Sequence, residues 1–247
     1  MISAKLSRYG LLSVTGEDAR DFLHAQLTSN IKDLAPDRAA LAGWCSAKGR
    51  LLASFLVIPA QGGFLLQLAR DLAPAVAKRL AMFVLRSKVK VADVSDAWTQ
   101  LGLWGDDRPQ PRELFGLSRE GDALFVRMGD RRYLSLVPAQ QAAEGTAGED
   151  AWALEEIRAG RPLITAATQD QFVPQMVNFV ALGGIDFQKG CYPGQEVVAR
   201  AQYRGQVKRH MVRLPVPPGT TPKPGDELDG GVVVDSAGGE LLAVVPL

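Results

Sequence analysis

The densest group of chemistry-bearing residues is the run Asp186-Phe187-Gln188-Lys189-Gly190-Cys191-Tyr192-Pro193-Gly194-Gln195-Glu196. Gly190 and Gly194 flank Cys191 and permit a sharp turn that presents a thiol to solvent. Lys189 stands two positions before Cys191, and an ammonium held near a thiol favours the nucleophilic thiolate. Gln195 and Glu196 add hydrogen-bonding groups for a ligand or for the loop itself. The run fits two states, a reactive thiol or a tight turn around a small buried cysteine, because free cysteine is among the most buried residue types.

A second group follows at once. Arg200, Arg204, Lys208, Arg209 and Arg213 form a stretch of five cations without an acid, interleaved with Tyr203 and His210. Such a stretch suits a polyanion backbone, and it equally suits a solvated strand-and-turn surface. Metal chemistry has little to draw on: His24 and His210 are far apart, so no metal site is expected. Cys45 and Cys191 are the only cysteines, too few for the four ligands of a stable iron–sulfur cluster. No phosphate loop of P-loop or Rossmann spacing occurs, and no nucleophile-elbow pattern.

These residues need elements to hold them. Leu11 to Val14, a Thr15-Gly16 turn, and Phe22, Leu23, Gln26 and Leu27 at helical spacing predict strand, turn and helix. Leu51–Ile58 and Phe64–Leu68 predict paired strands across Gln61-Gly62-Gly63. Leu72, Val76, Leu80 and Val84 predict a helix over 71–85 with Asp71 as its cap. Strands are expected at 88–94, 98–104, 123–128 and 132–137, and a helix over 151–159 that stops at Gly160. Residues 139–150 are the best linker candidate. Residues 215–227, with five prolines and two glycines, predict an irregular connection, and 231–247 a hairpin. Strands and helices mix without a βαβ rhythm, so the fold class is α+β.

The 28 basic and 27 acidic residues nearly cancel, so no overall field recruits nucleic acid or membrane. At 47% hydrophobic and 22% charged, the composition is that of an ordinary soluble globular protein. The longest apolar-rich run, Leu51–Ile58, falls far short of the ~20 residues of a membrane helix. The first residues lack the pattern of a secretory signal. A cytoplasmic protein with no membrane partner is expected, and two cysteines suit a reducing compartment.

The run Lys189-Gly190-Cys191-Tyr192-Pro193-Gly194-Gln195-Glu196 resembles the signature of the YgfZ-type family, relatives of the glycine-cleavage T-protein. The likeness continues through Val197-Val198-Ala199-Arg200 and Arg204-Gly205, and it takes in Gln171–Gln175 and Leu182–Ile185. It also includes Val14–Ala19, Phe22–Thr28 and Cys45-Ser46-Ala47-Lys48-Gly49-Arg50, so it spans about residues 6–210. The resemblance implies an α+β fold around a central folate pocket. Its first domain is discontinuous (1–33 plus 150–205), its second is ferredoxin-like (34–149), and a small C-terminal β-domain covers 206–247.

The resemblance further implies tetrahydrofolate, or a one-carbon derivative, as cofactor. It implies iron–sulfur client enzymes or assembly factors as partners, tRNA-modifying ones among them. Cys191 is the essential residue it points to, with Lys189 beside it. Tyr9 and Trp152 stand at positions similar to the family's aromatic folate contacts, Tyr9 in place of the family's tryptophan, and Tyr192, Gln195, Glu196 and Arg200 complete the expected folate set. Arg200, Arg204, Lys208 and Arg209 are candidates for gripping the glutamate tail of folate or for a weak tRNA contact. The frame also implies that Cys45 and Cys191 approach one pocket.

Two departures separate the chain from T-protein chemistry. Ala53 and Ser54 stand where T-proteins carry two carboxylates, and neither supplies the charge that assists a folate nitrogen. Arg158 stands where T-proteins place a pterin-binding glutamate, and a guanidinium accepts no hydrogen bond. The reading is a folate-binding accessory protein that supports iron–sulfur enzymes and does not cleave glycine. The alternative is a folate-dependent one-carbon (aminomethyl) transferase using Cys191.

Overall fold

The protein is described by a computed structural model covering residues 1–141, 145–205 and 207–247. The chain order begins β1 (Ile2–Lys5), β2 (Tyr9–Thr15), α1 (Ala19–Gln26), β3 (Ala40–Cys45), β4 (Leu51–Ala60), β5 (Gly63–Ala69) and α2 (Ala73–Ala81). It continues through β6 (Lys90–Asp93), β7 (Trp98–Trp104), β8 (Leu117–Glu120), β9 (Ala123–Gly129), β10 (Arg132–Pro138) and α3 (Glu149–Arg158). The last elements are α4 (Gln195–Tyr203), β11 (Arg209–Pro215), β12 (Glu227–Leu228), β13 (Gly231–Ala237) and β14 (Glu240–Pro246).

Two compact units interleave in sequence. The first takes Met1–Phe22, Lys32–Ala40 and Leu56–Trp152, and the second Leu23–Ile31, Leu41–Phe55 and Ala153–Leu247. Their boundaries differ from the three segments read from the sequence. Strand β4 carries the chain from one unit into the other after Phe55.

The first unit holds a five-stranded sheet in the order β1-β7-β10-β9-β8, all pairs antiparallel. It also holds β5, which pairs with the second half of β4 and with β2, and β6, which pairs with β2. Leu101, Leu103, Phe125 and Tyr133 close one core on the five-stranded sheet. Helix α2 buries Val76 and Leu80, as their spacing predicts, each worth about 1.5–3 kcal/mol when removed from water.

The second unit contains the four-stranded sheet β11-β14-β13-β12 and the hydrogen-bonded start of β4 beside β3. Trp44, Leu51, Phe55 and Phe179 are among its most buried side chains.

Several expectations need correction. The helix predicted over 71–85 is shorter, because Leu85 adopts a left-handed φ of 46° and the chain turns after Ala81. Asp71 does not occupy the cap position, which falls on Leu72 with Pro74 setting the first turn. The stretch taken as a linker is tied down where it is described. Thr146 N donates to Ser3 O at 2.8 Å, and Glu149 accepts from Ser7 Oγ and from Arg8 N. Residues 142–144 of that stretch lie outside the described residues.

Candidate functional site

Helix α1 ends with carbonyls that lack intrahelical partners. Lys189 supplies them. Its ammonium donates to Leu27 O at 2.5 Å and to His24 O, and the side chain is only 7% exposed. Asp186 starts the turn that delivers it: Oδ1 accepts from Gln188 N at 2.7 Å and from Lys189 N at 3.2 Å. The residue before that turn is anchored too. Thr28 Oγ1 donates to Gly184 O at 2.5 Å and accepts from Gly43 N at 2.7 Å. Burial draws the Lys189 pKa down to about 8, against the opposing pull of Asp186 and Cys191.

The sequence reading made Lys189 an activator of Cys191. In the structure its ammonium is held at the end of α1 and also lies 5.0 Å from the Tyr192 ring centroid.

Cys191 is exposed and carries a free thiol. Tyr192 points the other way and is 6% exposed, its hydroxyl buried with no hydrogen-bond partner among the described residues. Burial first, and then the Cys45 sulfur, push the Tyr192 pKa up. Cys45, at the end of β3, is 1% exposed and also free. Burial, assisted by Asp170, raises its pKa to about 12, so the thiol stays protonated. The two cysteines therefore differ in kind, one presented and one inert.

Glycines hold the turn after Cys191 against the turn after Cys45. Gly194 has φ +77°, and a Cβ there would meet Ser46 O at 2.3 Å and Gly49 Cα at 2.7 Å. Gly49 has φ +69°, and its Cβ would meet Val197 Cβ on α4 at 2.8 Å. Only glycine tolerates both the left-handed backbone and this approach. Ser46 Oγ then donates to Asp170 Oδ1 at 2.7 Å, tying in a third segment. The Cys45–Arg50 and Lys189–Glu196 motifs thus form one structure within the second unit.

The remaining site residues scatter. Gln195 opens α4, half-buried, with its N–H donating to Tyr192 O at 3.2 Å. Glu196 and Arg200 are exposed on α4, where they line a groove of about 580 Å³ with Ala199, Tyr203 and Arg204. Lys208 is exposed, and Arg209, on β11, donates to Gly230 O at 3.0 Å.

Tyr9 is buried at the start of β2 and lines a cavity of about 520 Å³ in the first unit. Lys5, Arg70, Trp98 and Gln100 share that cavity, and Gln100 Nε2 donates to Tyr9 O at 3.0 Å. Trp152 does not line it. At 2% exposed, Trp152 packs on Gly102, where a Cβ would come within 2.3 Å of its ring, and the Arg132 guanidinium lies 4.7 Å from its centroid.

Neither T-protein departure leaves an acid behind. Ala53 is fully buried, and Ser54 Oγ accepts the Ile164 N–H at 3.0 Å. Arg158 pairs with Glu155 at 3.1 Å and Glu240 at 2.8 Å. Among the described residues no cluster of three or more His, Cys, Asp or Glu could hold a metal ion. No helix of the described residues is long and apolar enough to cross a membrane.

The architecture matches the crystal structure of the glycine cleavage system aminomethyltransferase T from Bartonella henselae. The TM-score is 0.75 over 99% of this chain and 78% of that one, at 17% identity. The chain is thus an α+β protein with the fold of the glycine-cleavage aminomethyltransferases. By sequence it is 32% identical over 244 residues to the tRNA-modifying protein YgfZ of Klebsiella pneumoniae, covering 91% of this chain and 74% of that relative. It is 33% identical over 223 residues to the protein of the same name from Vibrio vulnificus, covering 85% of this chain and 68% of the relative. The chain belongs to the YgfZ family. No protein-family model matches it.

Proposed function

We propose that this protein binds a reduced folate and supports the assembly or repair of iron–sulfur clusters in client enzymes, tRNA-modifying ones among them. The observation that carries the reading is an exposed free thiol in an intact signature loop, in a chain whose residues 53 and 54 bear no carboxylate. Ser54 has its oxygen engaged by the Ile164 N–H, so it offers no charge to a folate nitrogen. Aminomethyl transfer is therefore disfavoured while a thiol remains on offer.

The Tyr9 cavity fits a folate by its chemistry. Its volume of about 520 Å³ falls in the range of small-molecule sites, roughly 300–1,000 Å³. Tyr9 and Trp98 supply flat walls for an aromatic ring, and Lys5 supplies a cation for a glutamate carboxylate, whereas Arg70 is already paired with Asp96 at 2.7 Å. When bound, tetrahydrofolate supplies a one-carbon unit or an acceptor for one. The protein's own residues orient the ring and tail. Cys191 adds a soft sulfur ligand, and two cysteines per chain mean that a client supplies the rest of any cluster's ligands.

Calorimetric titration with tetrahydrofolate and its methylene and formyl forms tests the reading. A Tyr9→Ala variant should bind about fivefold more weakly or worse, the value of one stacking contact. Unchanged affinity in that variant removes Tyr9 from the site. Absence of binding by any reduced folate overturns the folate reading.

A further inference from the structure

Helix α4 has two unlike faces. One buries Val198, whose carbonyl accepts from Gln175 Nε2 at 2.7 Å. The other presents Glu196, Ala199, Arg200, Tyr203 and Arg204, spaced three and four apart, along the groove of about 580 Å³. Tyr203 is 70% exposed, an unusual cost for a large aromatic ring in a folded chain. Its orientation is fixed nonetheless, because Phe187 meets it edge-on at 5.7 Å and 68°. The ring is held rigid with its surface open to solvent.

Glu196 is the one acid among the described residues that line this groove. From Val197 to Gly225 the sequence contains no acid. Elsewhere the arginines are largely neutralised in pairs, such as Arg38 with Glu113, Arg70 with Asp96, Arg127 with Asp107 and Arg161 with Glu156. Even within the basic stretch Arg213 pairs with Glu240 at 3.3 Å. No ion pair among the described residues engages Arg200, Arg204 or Lys208. In a chain with a formal net charge of +1, two cations without an ion pair beside one open aromatic ring are a local concentration of anion-binding capacity.

We propose that this face of α4 binds unpaired nucleotides of an RNA, with a base stacked on Tyr203 and the flanking phosphates on Arg200 and Arg204. A duplex keeps its bases stacked on one another and offers the tyrosine no face, whereas a single strand or loop does. Arg200 and Arg204 stand one turn apart, ~6 Å along the axis, and reach successive points of a backbone laid beside the helix. Glu196 closes one end of the groove with a negative charge, so the phosphates run from Arg200 toward Arg204. An acidic peptide would use the cations but leave the fixed aromatic ring without a role. This inference stands independently of the folate site, whose Tyr9 cavity shares no residue with the groove.

The test is fluorescence anisotropy of the full chain with a short labelled oligouridylate, with the matching RNA duplex and with poly-L-glutamate as competitors. Two phosphate contacts on a single strand predict roughly sevenfold weaker binding between about 50 mM and 200 mM salt. Tyr203→Ala should weaken binding by about fivefold or more, while Tyr203→Phe binds like the parent. The double variant Arg200→Glu, Arg204→Glu should lose most of the affinity and flatten the salt dependence. Circular dichroism of these exposed-site variants controls for folding. Three outcomes overturn the proposal: no binding at low salt, Tyr203→Ala within twofold of the parent, or competition by the duplex or poly-L-glutamate as effective as by the single strand.

Discussion

Replacing Gly194 by alanine tests the interlock of the two cysteine turns. Two costs add. A Cβ at φ +77° costs about 1–2 kcal/mol in a left-handed backbone. The same atom would stand 2.3 Å from Ser46 O and 2.7 Å from Gly49 Cα, both backbone atoms that no rotamer change can move. Separating the turns is a form of overpacking that costs typically 1–3 kcal/mol. The expected loss is therefore about 2–5 kcal/mol. Gly62→Ala is the matched control, since Gly62 has φ +75° but nothing within 4 Å of the added carbon, so only the backbone cost applies. Urea unfolding of both variants isolates the close approach as their difference. Iodoacetamide gives a second readout, because parted turns should admit reagent to Cys45. If Gly194→Ala loses no more stability than Gly62→Ala, the interlock is wrong.

Other outcomes are expected from the same site. In the native protein iodoacetamide should add one adduct, at Cys191, and leave Cys45 unmodified; mass spectrometry showing equal labelling would contradict the burial of Cys45. The folded protein keeps a proton on Cys45 that the unfolded chain releases, so between pH 9 and 12 its stability should fall relative to Cys45→Ala. That fall is about 1.4 kcal/mol per pH unit at most, and parallel pH profiles of the two proteins would disprove it. Lys189→Met should cost about 1–3 kcal/mol by stranding two carbonyls of α1; a urea midpoint indistinguishable from the parent's would remove that capping role. No methylene-tetrahydrofolate should form from a lipoylated aminomethyl carrier, and turnover near that of a true T-protein would show that Ser54 does not abolish the chemistry.

Much of the framework was legible because it is local. The β4–β5 hairpin follows from two apolar runs around Gln61-Gly62-Gly63, and the stop of α3 from Gly160, which takes φ +66°. The hairpin of β13 and β14 follows from alternating valines around two glycines. Helix α4 left a weaker trace, because its polar-aromatic face lacks the apolar stripe that periodicity detects. The role of Lys189 was hidden for a different reason. Its nearest functional neighbour in sequence is Cys191, but its hydrogen-bond partners lie more than 160 residues away. The same holds for Gly49 and Gly194, whose contact no local pattern encodes. Trp152 shows the reverse, since a match by position said nothing of how deeply Gly102 and Arg132 enclose it.

The interleaving of the two units has a consequence for synthesis. Every segment of the first unit has emerged once the ribosome has passed Trp152 and cleared it from the exit tunnel. The second unit must wait, because Leu23–Ile31 and Leu41–Phe55 share it with Ala153–Leu247. At typical rates of about 5–20 residues per second, that interval lasts on the order of 5–20 seconds. Throughout it Trp44, Leu51 and Phe55, all buried in the finished protein, have no completed core to enter. Nascent chains are thus expected to engage holding chaperones through residues 41–55, and to be released as the codons for Ala153–Leu247 are read.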